Sequence, residues 1–389
     1  MKCLTLAVSL LGIAALGACG KGTEGPGAAE STTRGDSGLV GLNPPSEADA
    51  PATGTTDPVA TPAVAPTTCY RYAFVSGFAD NVFVTDTCSQ EAPRKLTDND
   101  EPRTHFGNLV FREDGASLVF DRSTLSLDGL LLESFSLSLA GAASGLRANT
   151  AALFNGFPDD YVPHGLAFEP GGARTAFLRQ ESYGVDLGQD FQVVKVDRLS
   201  LFDPNQASLA DQTLYEARDS EEKIEEAVWR PGHDELIVAK RVRERPSQLF
   251  LIDVANRQIS GLRADGAFGG YRPLAFEGSE PAVSPDGDSL AFVRRSNGQR
   301  QIFACTLVSV AGRYYRGHVA CEQVRQLTFE GENRHPVWTP DGRFLFFTSN
   351  RAGNLDLYRM NPDGGEATPI RNSFADEARP AIHPVPFTI

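Results

Sequence analysis

Three observations on the sequence predict an all-β fold, a six-bladed β-propeller. A unit of apolar strand, tight turn and second apolar strand recurs five times, and a sixth copy is divided between the two ends of the repeating region. No amphipathic helix of useful length interrupts the series. The ring is expected to close by pairing of the C-terminal strand with the N-terminal blade, and to be preceded by a signal peptide and a disordered linker.

The first element is the leader. Met1 and Lys2 precede an apolar run over 4–15, which leads into Leu16, Gly17, Ala18 and Cys19. A charged start, a short apolar core and small residues before a cleavage site make an export signal, and the run is too short to span a bilayer. Leu-Gly-Ala-Cys resembles the lipobox of bacterial lipoproteins. The resemblance implies that residues 1–18 are removed and that Cys19 and the new amino terminus are acylated, several chains being needed because one anchors only marginally. An ordinary secretory signal followed by an accidental cysteine is the alternative. Gly20 stands where, in the enterobacterial sorting rule, an aspartate would favour the inner membrane, so the periplasmic face of the outer membrane is the expected location.

Residues 19–67 follow as a tether of Gly, Ala, Pro, Ser and Thr with almost no large apolar side chain. Such a segment cannot bury enough surface to offset its chain entropy, and its length lets a folded part stand off from the membrane. The folded part is expected over 68–389, where many of the 37 glycines and 25 prolines punctuate short runs rich in Val, Leu and Phe. The formal net charge is -14, and loss of the leader removes only Lys2. So acidic a surface repels phosphate and excludes nucleic acid as a partner. Of six cysteines, four fall in the folded part: Cys69, Cys88, Cys305 and Cys321. In an exported domain nearby pairs read as disulfides; three connectivities exist, and the two local ones, 69–88 and 305–321, are expected. No CxxC or HxH spacing suggests zinc, and no cofactor is expected.

The repeats are clearest near the C-terminus, in HPVWTPDGRFLFFTSNRAGNLDLYRMNPDGGEATPI (335–370), and next in EPAVSPDGDSLAFVRRSNGQRQIFACTL (280–307). Weaker copies read NLVFREDGASLVFDRS (108–123), GLAFEPGGARTAFLRQ (165–180) and EAVWRPGHDELIVAKR (226–241). In the turn, proline presets its backbone angle, aspartate caps the turn, and glycine accepts positive φ. A third strand follows, such as NLDLYRM or QLFLIDV, and often a fourth, such as VRQLT. Four antiparallel strands per copy describe a propeller blade. Aligned on the turn, Gly115, Gly172, His233, Gly287 and Gly342 are equivalent. The sixth copy has its second to fourth strands at YAFVS (72–76), NVFVT (81–85) and RKLT (94–97), while the tail RPAIHPV (379–385) matches a first strand. Joining the two leaves no open edge.

These repeats resemble the WD40-like Pro-Asp repeats of the TolB family of periplasmic propellers over nearly all of 68–389, most specifically at the Pro-Asp-Gly turns 285–287 and 340–342. Family members carry an α/β domain ahead of the propeller, and here the tether takes that place.

First strands lie innermost in a propeller. The residues just before them, Arg379, Asn108, Gly165, Glu226, Glu280 and His335, are expected to ring one mouth of the central channel. Loops between second and third strands open on the same face and are basic: Arg122, Arg179, Lys240, Arg241, Arg243, Arg294, Arg295 and Arg351. One reading is a face for an anionic partner, a small ligand or an acidic part of another envelope protein. The other is that these cations pair with neighbouring aspartates such as Asp356 and brace the blades. Trp229 and Trp338, at the ends of equivalent first strands, are expected to fill gaps between sheets, and NPDGG (361–365) to be a hairpin turn rather than a calcium loop.

The function expected is that of a monomeric, lipid-anchored scaffold binding an envelope protein or a small anionic ligand, with no catalytic residue. The alternative is a propeller enzyme, a metal-dependent lyase or hydrolase acting on saccharides or peptides. There is no GxSxG elbow, but His105, His164 and His335 are each expected shortly before an inner strand, where they could converge at the channel mouth, and three imidazoles suffice for a catalytic metal.

Overall fold

In the computed structural model the chain divides into a unit over 1–63 and a unit over 64–389. The structure describes residues 67–388 apart from 78–79, 102, 127–128, 140–146, 149–163, 187–190, 206–211, 262, 265–275, 313–314 and 372. The leader, Cys19 and all of the tether but Thr67 lie outside the described residues.

Six antiparallel sheets make a propeller. Blade 1 joins the two ends of the chain: the inner strand Glu377–Ile382 pairs with Arg71–Ser76, followed by Asn81–Asp86 and Arg94–Lys95. Tyr72 opposes Ile382 and Ser76 opposes Glu377, the closure that the divided sixth copy predicts. Blades 2 and 3 run Thr104–Phe111, Ser117–Ser126, Gly129–Ser138, Arg147–Ala148 and then His164–Phe168, Thr175–Asp186, Phe191–Phe202, Thr213–Glu216. Blade 4 is Glu222–Trp229, Glu235–Val242, Gln248–Asp253 and Gln258–Gly261. Blade 5 is Ser279–Val283, Ser289–Ser296, Gln299–Gly312 and Tyr315–Gln326, and blade 6 is Asn333–Trp338, Leu345–Ser349, Asp356–Met360 and Thr368–Arg371. Two blades exceed the four strands expected. Arg263–Ala264 runs parallel along the outer strand of blade 5, and Phe276–Glu277 pairs with Gln248–Leu249, so short segments cover edges that would otherwise stay unpaired.

The second strands explain why the repeats read as continuous apolar runs. In a strand successive side chains face opposite ways, and in a propeller both faces are covered. Leu236 and Val238 enter the core shared with blade 3, whereas Ile237 and Ala239 enter that shared with blade 5. Leu290 and Phe292 face blade 4 while Ala291 and Val293 face blade 6. Tyr72 and Phe74 face blade 6, Ala73 and Val75 face blade 2. Each of the six seams thus has its own apolar cluster, the smallest among the described residues being that of Val119, Leu166 and Phe177 between blades 2 and 3. Trp229 and Trp338 fill such seams as expected: each is buried, and its indole N–H donates to the inner strand of the preceding blade, at Ala167 O (2.9 Å) and Ala282 O (3.0 Å).

The turns refine the expected equivalence. All five close with an N–H of the fourth residue donating to the carbonyl of the first, from Gly115 to Arg112 through Gly342 to Thr339. Positive φ falls on Gly115, Gly287 and Gly342 in the Asp-Gly copies, but on Gly171 and Gly232 in the two Pro-Gly copies. There the third turn residue takes the left-handed angle, as in a type II turn, which frees the fourth position and lets His233 stand where glycine was aligned. Asp286 and Asp341 cap their turns, accepting from Asp288 N (3.0 Å) and Arg343 N (3.2 Å). Gly364 N donates to Asn361 O at 3.0 Å, so NPDGG is a turn.

Cys69 is bonded to Cys88 and Cys305 to Cys321, the two local pairs expected, with Cα separations of 5.6 and 5.4 Å. The first sits beside the closure, where Cys69 pairs with Phe387 of the tail. The second ties the third and fourth strands of blade 5 across an irregularity in their register.

Candidate functional site: a collar inside the central channel

Each inner strand carries a register shift against its neighbour, and the aligned residues sit at it. Asn108, Gly165, Glu280, His335 and Arg379 all have φ between 46° and 58°. This corrects the expectation: these residues lie within the inner strands, not ahead of them. A bulge re-aims the side chain at its site, and for Glu280, His335 and Arg379 the left-handed conformation is unfavourable unless the surroundings impose it. Glu226 sits one residue past the extra residue of its own strand.

Hydrogen bonds between blades impose it. Asp121 of blade 2 accepts from Gly165 N of blade 3 (2.7 Å) and from Asn108 Nδ2 (2.6 Å). Glu280 of blade 5 accepts from His335 N (2.7 Å) and Arg334 Nη2 (2.7 Å) of blade 6. Thr348 Oγ1 of blade 6 accepts from Arg379 N of blade 1 (3.1 Å).

Side chains from four blades meet here. Glu226 feels the charges of Glu280 and Arg379, and His335 those of Glu280 and Arg379; groups on blades 4, 5, 6 and 1 can share a field this way only by pointing towards the axis. From blade 2, Gly107 leaves room for the guanidinium: a Cβ there would lie 2.1 Å from Arg379 Nη1. Burial pushes the Glu226 carboxyl up to about 8, and nearby Glu280 adds to this. Burial pulls His335 down to about 4, against the pull of Glu280. Burial also opposes charge on Glu280, but His335, Arg334 and the His335 N–H outweigh it and hold that carboxyl below its ordinary range. At neutral pH the collar therefore contains a protonated Glu226, a neutral His335 whose Nδ1 is buried without a partner, and an ionised Glu280 tied to Arg334. The Arg379 guanidinium, exposed to the channel, has no hydrogen-bond or ion-pair partner among the described residues.

The basic residues expected on the same face have partners of their own, nearer the second of the two readings given for them. Arg122, Lys240 and Arg294 occupy one equivalent second-strand position, and each cation lies over the ring of the third-strand residue diagonally opposite: Phe135 at 4.7 Å, Phe250 at 4.3 Å and Phe303 at 4.1 Å. At the same place in blade 3, Arg179 Nε donates to Ser200 Oγ at 3.1 Å. Arg295 donates to Gly298 O in its own hairpin (2.9 Å). Arg241 and Arg243 are held by Glu225 and Glu221. Arg351 donates to Ser349 and Asn333, both at 3.0 Å, rather than to the expected Asp356. These cations brace sheets, and the structure does not gather Arg294 and Arg295 into the collar.

His105 is paired with Asp80 and His335 lies 4.0 Å from Glu280, while the His164 side chain lies outside the described residues. Among the described residues no three His, Cys, Asp or Glu side chains are assembled as metal ligands. Sequence alignment on the turn found the collar positions; it missed Gly107, whose lack of a side chain beside Arg379 has no signature in the repeat. It also missed two exposed aromatic residues, Phe329 and Phe374, in the loops entering the inner strands of blades 6 and 1.

No family model matches the chain. The uncharacterized protein Atu1656 of Agrobacterium fabrum (strain C58 / ATCC 33970) is 37% identical over 57 residues, which are 15% of this chain and 19% of that protein. Among solved structures, TolB from Acinetobacter baumannii superposes with a TM-score of 0.50 at 15% identity, covering 81% of this chain and 66% of that one. A chain of the nidogen/laminin complex gives 0.48 at 9% identity, covering 81% and 98%. The chain thus spans about a fifth of the curated relative and just under two thirds of TolB, and the likeness to TolB is one of propeller fold.

Proposed function

We propose that the protein is an exported lipoprotein, acylated at Cys19 and held at the periplasmic face of the outer membrane, whose propeller is a monomeric binding scaffold for an anionic group of another envelope protein or of a small ligand. The observation that supports this reading best is Arg379. Its charge has no counter-ion among the described residues and lies beside a Glu226 that is neutral at neutral pH and able to donate a hydrogen bond. A carboxylate entering the channel would meet a guanidinium and a carboxyl proton together. Phe329 and Phe374 give the entrance two apolar contacts. The two disulfides agree with an oxidising compartment.

Fractionation and co-purification test the two halves of the proposal. The wild-type chain is expected in the detergent-soluble membrane fraction and Cys19→Ser in the soluble one. Envelope proteins retained by the wild-type chain are expected to be released by salt and to be absent with Arg379→Glu. Retention that is indifferent to that substitution would refute the channel as the binding site.

A further inference from the structure

At the start of the inner strand of blade 6, Asn333 is fully buried and its Nδ2 donates to Gln301 Oε1 of blade 5 at 2.9 Å. Thr328 Oγ1 donates to the same oxygen (2.7 Å), and Gln301 Nε2 donates to Gly331 O (2.8 Å). A neutral amide pair therefore ties the third strand of one blade to the inner strand of the next.

One seam further round, acids hold the same two positions. Asp356 opposes Ser349, the fourth residue after Leu345, as Gln301 opposes Arg294, the fourth after Leu290. Glu377 precedes the left-handed Arg379 by two residues, as Asn333 precedes His335. Asp356 and Glu377 are 0% and 1% exposed. One oxygen of each is satisfied: Ser373 N donates to Asp356 Oδ1 (3.1 Å), and Ser373 Oγ (3.0 Å) and Arg371 Nε donate to Glu377 Oε1. The others, Asp356 Oδ2 and Glu377 Oε2, are buried with no partner. An amide at either position would supply the missing N–H; two carboxylates cannot.

We propose that Asp356 and Glu377 share one proton, a carboxyl–carboxylate hydrogen bond that ties the closing strand to blade 6 and makes the seam of the ring a proton-sensitive latch. The surrounding charges call for it. Arg371, from the outer strand of blade 6, is the one cation paired with either acid among the described residues. Tyr72 of blade 1 and Tyr358 of blade 6 face the pair as phenols that burial keeps neutral, Asp86 lies beyond Tyr72, and Arg351 covers the Tyr358 ring at 4.8 Å. Asp376 is engaged by Leu355 N. Two carboxylates against one guanidinium leave a buried negative charge, which one proton cancels. Burial moves Glu377 in the direction required, above the ordinary carboxylate range and against the pull of Arg371. A carboxyl raised in the folded state contributes stability that is whole below its unfolded pKa and is lost as pH rises through the folded one.

Infrared spectroscopy of the full chain reads this proton directly, in a Glu226→Gln background that removes the other carboxyl held above its ordinary range among the described residues. One protonated-carboxyl band is expected at neutral pH, gone in Asp356→Asn. The fall in unfolding temperature from mildly acid to alkaline pH should be present in the background and lost in that variant. Glu377→Gln is the second variant should Asp356→Asn fail to fold. A background without the band would overturn the proposal. So would an unfolding temperature that drops on chelation and recovers with calcium, because a cation would then occupy the place given to the proton.

Discussion

At Glu226 the surrounding strands strip water from a carboxyl and leave it beside Glu280, so the proton stays on until about pH 8. Because the folded value is raised, its contribution to stability is whole below the ordinary carboxylate range and is lost as pH climbs through 8. His335 works from the other side: its folded value is depressed to about 4, so its contribution is whole above the unfolded imidazole value and is lost as pH falls towards 4. Thermal unfolding followed across pH should show Glu226→Gln making the alkaline limb shallower, the remainder belonging to Asp356 and Glu377, and His335→Gln flattening the acid limb, each leaving the other limb intact. The alignment of turns was enough to name both residues. Their titration was not legible, since it depends on groups from other blades, and left-handed angles at Glu, His and Arg leave no mark in composition.

Among the elements, the inner strands carry hydrogen bonds from blade to blade. Trp338 ends one such strand, is 9% exposed and donates across the seam to Ala282 O. Trp338→Ala removes both the indole volume and the bond, and a loss of about 3–5 kcal/mol is expected in denaturant unfolding. The Cys305–Cys321 bond closes a short loop, with a sequence separation of 16, within blade 5. Cys305→Ser should cost roughly 3 kcal/mol on the loop-entropy account, measured by the same unfolding curves against the oxidised wild-type chain. Strands and turns were the most legible level of the fold, because two apolar runs joined by Pro-Asp-Gly can do little but pair as adjacent antiparallel strands. The extra strands on blades 4 and 5 were not legible: Arg263–Ala264 and Phe276–Glu277 are too short for a pattern and are positioned by the edges they cover. The basic hairpins were legible as charge, with a binding face and bracing of the blades both open, since the aromatic ring beneath Arg122, Lys240 and Arg294 belongs to the neighbouring strand.

For the molecule as a whole, one segment serves two purposes. The strand Glu377–Ile382 completes blade 1 and brings Arg379 into the channel, so closure and the candidate site are the same event in the chain. The divided sixth copy discloses the closure from the amino-acid sequence alone, whereas the lack of a counter-ion to Arg379 among the described residues emerges only once six blades surround it. The most direct test of this account is photocrosslinking in intact cells from a reactive side chain at position 374, beside the entrance. Discrete adducts with envelope components are predicted for the wild-type background, lost in Arg379→Glu while the unfolding temperature stays unchanged. Adducts of the same identity and yield with the reversed charge would contradict it.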